Sequence, residues 1–169
     1  MFKKKQFGVG GAIVFFLLVA SVGFAEGKNE TRFGIGLQAT VPTIGISGMI
    51  DVTENVSVQG TLGVFGGLKI YGGRGIFRRY EDPYRNAYGY VAISAICYSE
   101  SSDFGKLIKA ATAIGVGIGA GKECNWQTWS TKLPPIWWNY EVGLGYWSKN
   151  EHTDGFLYPI AGVGAQYRF

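Results

Sequence analysis

The carboxyl-terminal segment constrains the fold of this chain more than any other. Reading back from Phe169, one parity is Phe169, Tyr167, Ala165, Val163 and Ala161; the other is Arg168, Gln166, Gly164 and Gly162. One face is apolar and the other polar or bare, right up to the last residue. Alternation of period two marks a strand whose faces meet different environments. A strand that is apolar outside and polar inside is the unit of a transmembrane β-barrel.

The amino-terminal end reads as a targeting segment. Lys3, Lys4 and Lys5 form a basic start, residues 12–20 (AIVFFLLVA) an apolar core, and Gly23-Phe24-Ala25 supplies small residues for cleavage. The core is short for a spanning helix, which needs roughly 20 residues. Residues 1–25 are therefore expected to be a cleaved signal peptide, and no Cys near the site suggests lipid modification. Three of the 16 basic residues and none of the 12 acidic ones lie there. The remaining 144 residues (169 less 25) carry 13 basic against 12 acidic groups. A net charge of +1 gives no case for a nucleic-acid partner.

Residues 26–169 suffice for one domain. Few segments show a helical period, and the 27 glycines follow no collagen or linker repeat. No stretch after residue 25 reaches the length of a membrane-spanning helix; the best, Ala110 to Gly121, is short and rich in Gly. A membrane chain without such a helix must pair every backbone group in a closed barrel.

Eight segments fit that requirement. Arg32–Val41 sets Phe33, Ile35, Leu37 and Ala39 against Gly34, Gly36, Gln38 and Thr40. Ile44–Val52 sets Ile44, Ile46 and Ile50 against Ser47, Met49 and Asp51. Val56–Phe65 sets Val56, Val58 and Leu62 against Ser57, Gln59 and Thr61, and Gly66-Gly67 is a hairpin signal. Leu68–Tyr80 is irregular, because Leu68 and Ile70 share a parity with Arg74. A guanidinium facing lipid costs roughly 2–4 kcal/mol near the midplane, so a β-bulge at Gly72-Gly73 is expected to turn Arg74 inward. Residues 81–86 form a polar turn. Ala87–Tyr98 is nearly continuously apolar, so its facing is ambiguous, and residues 99–106 form a polar loop. Leu107–Glu123 sets Ile108, Ile114, Val116 and Ile118 against Gly115, Gly117, Gly119 and Gly121. Pro135–Ser148 is the clearest, with Ile136, Trp138, Tyr140, Val142, Leu144 and Tyr146 opposing Trp137, Asn139, Glu141, Gly143 and Gly145. Residues 149–154 form a charged loop, and Gly155–Phe169 closes the set. Pro159 is expected at a bulge or near the outer rim, since a closed barrel offers no free edge.

This pattern resembles the smallest bacterial outer-membrane barrels, the OmpA/OmpX type, over all of residues 26–169. Phe169, with Tyr167 and Ala165 two and four positions upstream, is similar to the C-terminal sorting strand of outer-membrane proteins. The resemblance implies an all-β fold: a single closed antiparallel up-and-down transmembrane β-barrel of eight strands. It implies a Gram-negative cell outer membrane, contact with outer-membrane lipids and lipopolysaccharide, and delivery by the barrel assembly machinery. The chain departs from the type in its outward connections, which are all short. Its longest connection, Cys124 to Pro134, falls on the periplasmic side with both termini, where residues 125–129 (NWQTW) are expected to form a short helix. Long-loop roles such as adhesion therefore fit poorly.

The lumen is expected to hold Arg32, Gln38, Ser47, Asp51, Gln59, Lys69, Asn139, Glu141, Gln166 and Arg168. An eight-strand lumen is only wide enough for side chains, which favours a sealed polar network over a ligand cavity or pore. The four glycines at 115–121 favour some empty volume, unless inward Trp or Tyr side chains fill it. Cys97 and Cys124 are expected at opposite ends of the barrel, and so unbridged.

Two families of small barrel enzymes act on lipid A. The deacylase class needs a Ser/His/acid arrangement. The single histidine, His152, lacks the serine two residues on that the deacylase pattern has, and no second His supplies a metal site. No catalytic, cofactor or metal residues are expected. The reading is a non-enzymatic, porin-like barrel with a structural, anchoring or narrow-conduit role. The alternative is a secreted, soluble, lipocalin-like barrel binding an apolar ligand, which would place the apolar parity inside. The terminal Phe, the scarcity of charge on the polar parity, and aromatics at segment ends favour the membrane. Those aromatics (Tyr80, Tyr88, Tyr98, Trp137, Trp138, Tyr146, Trp147, Phe156, Tyr158 and Tyr167) read as interfacial girdles.

Overall fold

The computed structural model describes residues 32–41, 43–65, 68–98, 112–148 and 154–169. Residues 1–25, expected from sequence to be a signal peptide, residues 107–111, most of the loops expected to point outward and His152 lie outside them. The strands are β1 (Phe33–Thr40), β2 (Thr43–Asp51), β3 (Val56–Phe65), β4 (Leu68–Asp82), β5 (Arg85–Tyr98), β6 (Thr112–Asn125), β7 (Ile136–Trp147) and β8 (Phe156–Arg168). Each pairs antiparallel with the next, and β8 returns to β1, closing an up-and-down barrel. The expected count of eight holds. β4 and β5 run further into their shared turn than their apolar patterns suggest, leaving only Pro83-Tyr84 between Asp82 and Arg85.

Closure at the terminal end is a direct exchange of backbone bonds. Phe169 N–H donates to Phe33 O at 3.0 Å, and Phe33 N–H donates to Phe169 O at 3.2 Å. Their rings stack with centroids 6.5 Å apart. A 3₁₀ turn at Trp126–Thr128 follows β6, with the Asn125 side chain accepting from Gln127 N–H. The short helix expected in this connection is therefore present. No disulfide joins Cys97 to Cys124, which lie at opposite ends of the β5–β6 ladder.

Two expectations need correction. The first is the bulge at Gly72-Gly73. The β3–β4 and β4–β5 registers run unbroken through these glycines, and the only irregularity lies at Tyr80/Asp82. Arg74 faces inward in phase with Ile70, Ile76 and Arg78, because the apolar members of this parity are lumen residues too. The second is Lys69. It falls on the opposite parity and is exposed on the outer wall near the far end. Pro159 takes the second of the two places expected for it. No bulge surrounds it, and Leu144↔Pro159 is an ordinary pair. It does lie near the rim, where the stagger of the barrel accommodates it. Val41 N–H donates to Ala161 O, the last such bond along β1. Backbone groups of alternate residues point the same way, so the nitrogen of Pro159 faces the side where β8 overhangs β1. Its missing N–H leaves no ladder bond unmade.

Candidate functional site: the charged lumen

The two faces of the barrel are inverted relative to a soluble protein. Leu37, Ile46, Leu62, Ile118, Val142 and Leu144 point outward, each between 61% and 66% exposed. Gln38, Ser47, Gln59 and Glu141 point inward, each no more than 2% exposed. This facing is opposite to that of a lipocalin. It sets the problem the lumen solves, since buried polar groups must find partners inside.

Glu141 is the hub of the middle layer. Its Oε1 accepts from Arg74 Nη1 at 2.6 Å and from Thr40 Oγ1 at 2.6 Å, and Gln38 Nε2 donates to it at 3.3 Å. Its Oε2 accepts from Arg74 Nη1 at 2.5 Å and from Tyr88 OH at 2.8 Å. Arg74 Nε donates to Gln59 Oε1, and its guanidinium lies over the Tyr90 ring, 5.4 Å from the centroid. Gln38 also bonds Thr40 and Asn139. Side chains of β1, β3, β4, β5 and β7 thus converge on one ion pair.

Glu123 is the hub of the layer nearer the termini. It accepts from Arg78 Nε at 2.6 Å, Asn86 Nδ2 at 2.9 Å and Arg168 Nη1 at 3.2 Å, with a second bond from Arg168 Nη2. Arg78 Nη1 extends to Asp51 at 3.0 Å and to the Ser57 hydroxyl, and Arg78 Nη2 to Met49 Sδ at 3.1 Å. Arg168 stacks over Trp137, 4.6 Å from its centroid. Gln166 donates to Ser47 at 3.3 Å. Between them the two layers engage all eight strands. The paired guanidiniums of Arg74, Arg78 and Arg168 face the carboxylates of Asp51, Glu123 and Glu141, three against three. A buried charge is tolerated when it is paired and hydrogen-bonded; each of the three guanidiniums has a carboxylate partner, while Gln59 Nε2, Asn86 Oδ1 and Arg168 Nε are buried without a hydrogen-bond partner among the described residues.

The far half of the lumen is packed with Tyr90, Tyr158, Ile160 and Trp147. The glycines of β6 make room for these groups, and the empty volume they suggest is filled. A Cβ at Gly119 would sit 2.5 Å from Tyr90 OH, one at Gly121 2.5 Å from Tyr88 Cζ, one at Gly117 2.7 Å from Ile160 Cδ1, and one at Gly115 2.9 Å from Trp147. Among the described residues, a cavity of about 30 Å³ lies beside Arg74, Thr61, Ser94 and Tyr158. At roughly 10–15 Å³ each, that is space for a couple of water molecules and no organic ligand.

Of the ten lumen residues expected from sequence, the structure brings Gln38, Ser47, Asp51, Gln59, Asn139, Glu141, Gln166 and Arg168 inside. Arg32 is exposed at the terminal rim, just before β1, where its carbonyl accepts from Asp51 N–H, and Lys69 is exposed on the outer wall. Arg78, Glu123 and Asn86 escape sequence reasoning. Glu123 continues the parity of the β6 glycines and Arg78 that of Arg74, so both signals were available in the alternation. The aromatic girdle also needs correction. Tyr88, Trp137, Trp147 and Tyr158 face the lumen; Tyr80 and Phe156 share that parity and are exposed at the rims, and Tyr146 and Tyr167 are exposed on the outer wall.

Two solved structures are similar to this chain. The N-terminal β-barrel domain of Pseudomonas aeruginosa OprF is 14% identical, with 85% of this chain and 100% of that chain covered and a TM-score of 0.49. Ail, the attachment invasion locus protein of Yersinia pestis, is 15% identical, with 82% of this chain and 97% of that chain covered and a TM-score of 0.39. No protein-family model matches the sequence. No curated protein sequence matches it either.

Proposed function

We propose that the chain is an integral outer-membrane barrel with a sealed lumen, serving a structural or anchoring role. The observation that carries this reading is the inversion of polarity. A continuous apolar wall faces outward on every strand, around an interior of paired charges. Exposed apolar surface of that extent is stable only against lipid or a partner, and complete strand pairing leaves no backbone group to be solvated by hydrocarbon. The wall carries exposed aromatics towards both rims, Phe33 and Tyr167 at the terminal end and Tyr146 at the other, where interfacial rings are favoured. With an even strand count both termini share one end, which this reading assigns to the periplasm. The signal-peptide reading of residues 1–25 supplies the route. Lipopolysaccharide and inner-leaflet lipids are then the surroundings, and the barrel assembly machinery the folding partner.

The lumen layers oppose a conduit role, since two ion-paired layers and the aromatic packing cross it. Vesicle flotation tests the membrane reading. The protein, refolded from urea in the presence of liposomes, is expected to float with them and to resist carbonate extraction. A protein that stays in the dense aqueous fraction as a soluble monomer contradicts it.

A further inference from the structure

We propose that the outer wall of β4–β6, near the end that holds the termini, binds an anionic glycerophospholipid, its phosphate between Arg79 and Lys122. The inference rests on the membrane reading above and adds a ligand to it. Outward-facing charges on the described strands are few, and their distribution is uneven. Lys69 stands alone at the far end; Arg79, Glu81, Asp82, Arg85 and Lys122, three cations against two carboxylates, gather on β4, β5 and β6 at the terminal end. The outward positions of β1, β2, β3, β7 and β8 carry none.

Register places these cations around a furrow. Arg79 pairs with Ala87, Ala87 with Lys122, and Lys122 with Tyr140. One step towards the membrane centre, Phe77 pairs with Gly89, Gly89 with Ala120, and Ala120 with Val142. Small residues at 87, 89 and 120 therefore form a floor between the walls of Phe77 and Val142. The furrow measures about 460 Å³. A Cβ at Gly89 would meet nothing nearer than a backbone oxygen at 3.8 Å, so the space above it is open. An apolar trough that ends in two cations has the polarity of one acyl chain joined to a phosphate.

The charges are incompletely matched within the protein. Lys122 pairs with Glu81 at 3.3 Å, and no carboxylate among the described residues pairs with Arg79. Long basic side chains lie along apolar surface with the charge at the interface, and a guanidinium offers a phosphate two parallel hydrogen bonds. A second copy of the chain is the poorer occupant. A two-fold dimer about the membrane normal would bring the same patch of each copy together, setting Arg79 and Lys122 against their own counterparts.

The test uses the full barrel refolded in phosphatidylcholine vesicles doped with phosphatidylglycerol, extracted in mild detergent and weighed intact by native mass spectrometry. Phosphatidylglycerol is expected to be retained in preference to phosphatidylcholine. Arg79→Gln/Lys122→Gln should lose that preference several-fold, and Lys69→Gln at the far end should keep it. Gly89→Leu, whose Cβ would meet nothing nearer than 3.8 Å, should fill the furrow and lower retention of both lipids while the barrel remains heat-modifiable. Unchanged phosphatidylglycerol retention in the double Gln variant, or a lipid-free dimer as the main species, overturns the proposal while leaving the membrane reading intact. Failure to enter any vesicle defeats both.

Discussion

Arg74 of β4 and Glu141 of β7 meet across the lumen, Nη1 to Oε2 at 2.5 Å, although neither strand is a neighbour of the other. The Glu141 side chain is fully buried and that of Arg74 nearly so. A pair placed this way acts as a strut between opposite walls. Removing one partner of a buried pair typically costs about 3–5 kcal/mol, because the other charge is left uncompensated. Glu141→Ala is expected to lower the stability of the refolded barrel by about that much, as read by urea titration in vesicles. The double variant Arg74→Leu/Glu141→Leu should recover most of the loss. Equal stability of Glu141→Ala and wild type would show that the pair carries no strain of the fold.

The same pair predicts electrical silence. In planar bilayers the wild-type barrel should show no steady conductance, since both charged layers and the aromatic packing close the lumen. Glu141→Ala leaves the layer around Glu123 intact and should remain closed. A wild-type channel with sustained open levels would favour the conduit role.

The glycines of β6 are expected to be intolerant of side chains. At Gly121 a Cβ would lie 2.5 Å from the Tyr88 ring and 2.6 Å from the Tyr140 backbone oxygen, and the backbone cannot move aside. Gly121→Val should sharply reduce the folded, heat-modifiable fraction. Gly48→Ala, on the outer wall with nothing within 4 Å of the new carbon, should fold as well as wild type. Matching yields for the two variants would contradict the packing described.

Cys97 and Cys124 should both react with a thiol reagent in the denatured, unreduced protein. Cys97 pairs with Thr112 at one end of β6, and Cys124 lies twelve residues further along that strand. At about 3.3 Å per residue the separation approaches 40 Å, against the 7 Å or so that a disulfide bridges. A Cys97–Cys124 crosslinked peptide in a non-reducing digest would displace β5 and β6 from their present register.

Most of the fold was legible in the chain because an apolar outer wall and a polar lumen enforce strict alternation. That is why β3 agrees in both bounds and β7 differs by a single residue at each end. The reading failed where the lumen itself is apolar. Ile70 is buried inside the barrel, yet with Leu68 it reads as a lipid-facing parity that Arg74 shares, and that is what makes a bulge look necessary. Lys69 was misplaced by the same reasoning. The glycines of β6 were visible, but their partners were not, since Tyr88 and Tyr90 lie on β5, whose apolar run hides its facing. Pairing across the lumen, as in Arg78 with Glu123, depends on strand tilt and stagger, which sequence periodicity does not encode.

Phe169 tests the seam between the last and first strands. Its ring stacks on Phe33 and its backbone exchanges two hydrogen bonds with that residue. Phe169→Asp should lower the assembled level several-fold, whereas Lys149→Asp, in a loop by sequence, should leave it near wild type. Equal levels of the two would remove any special role for the terminal aromatic.

The central claim, a closed barrel seated in the outer membrane, is tested most directly by fractionating cells that produce the unfused protein. The outer-membrane fraction is then run on a denaturing gel with and without boiling. The protein is expected in that fraction, with a different apparent size before and after heating, because the closed strand ladder survives detergent until heat breaks it. Recovery as a soluble periplasmic monomer whose mobility is indifferent to heating would contradict it.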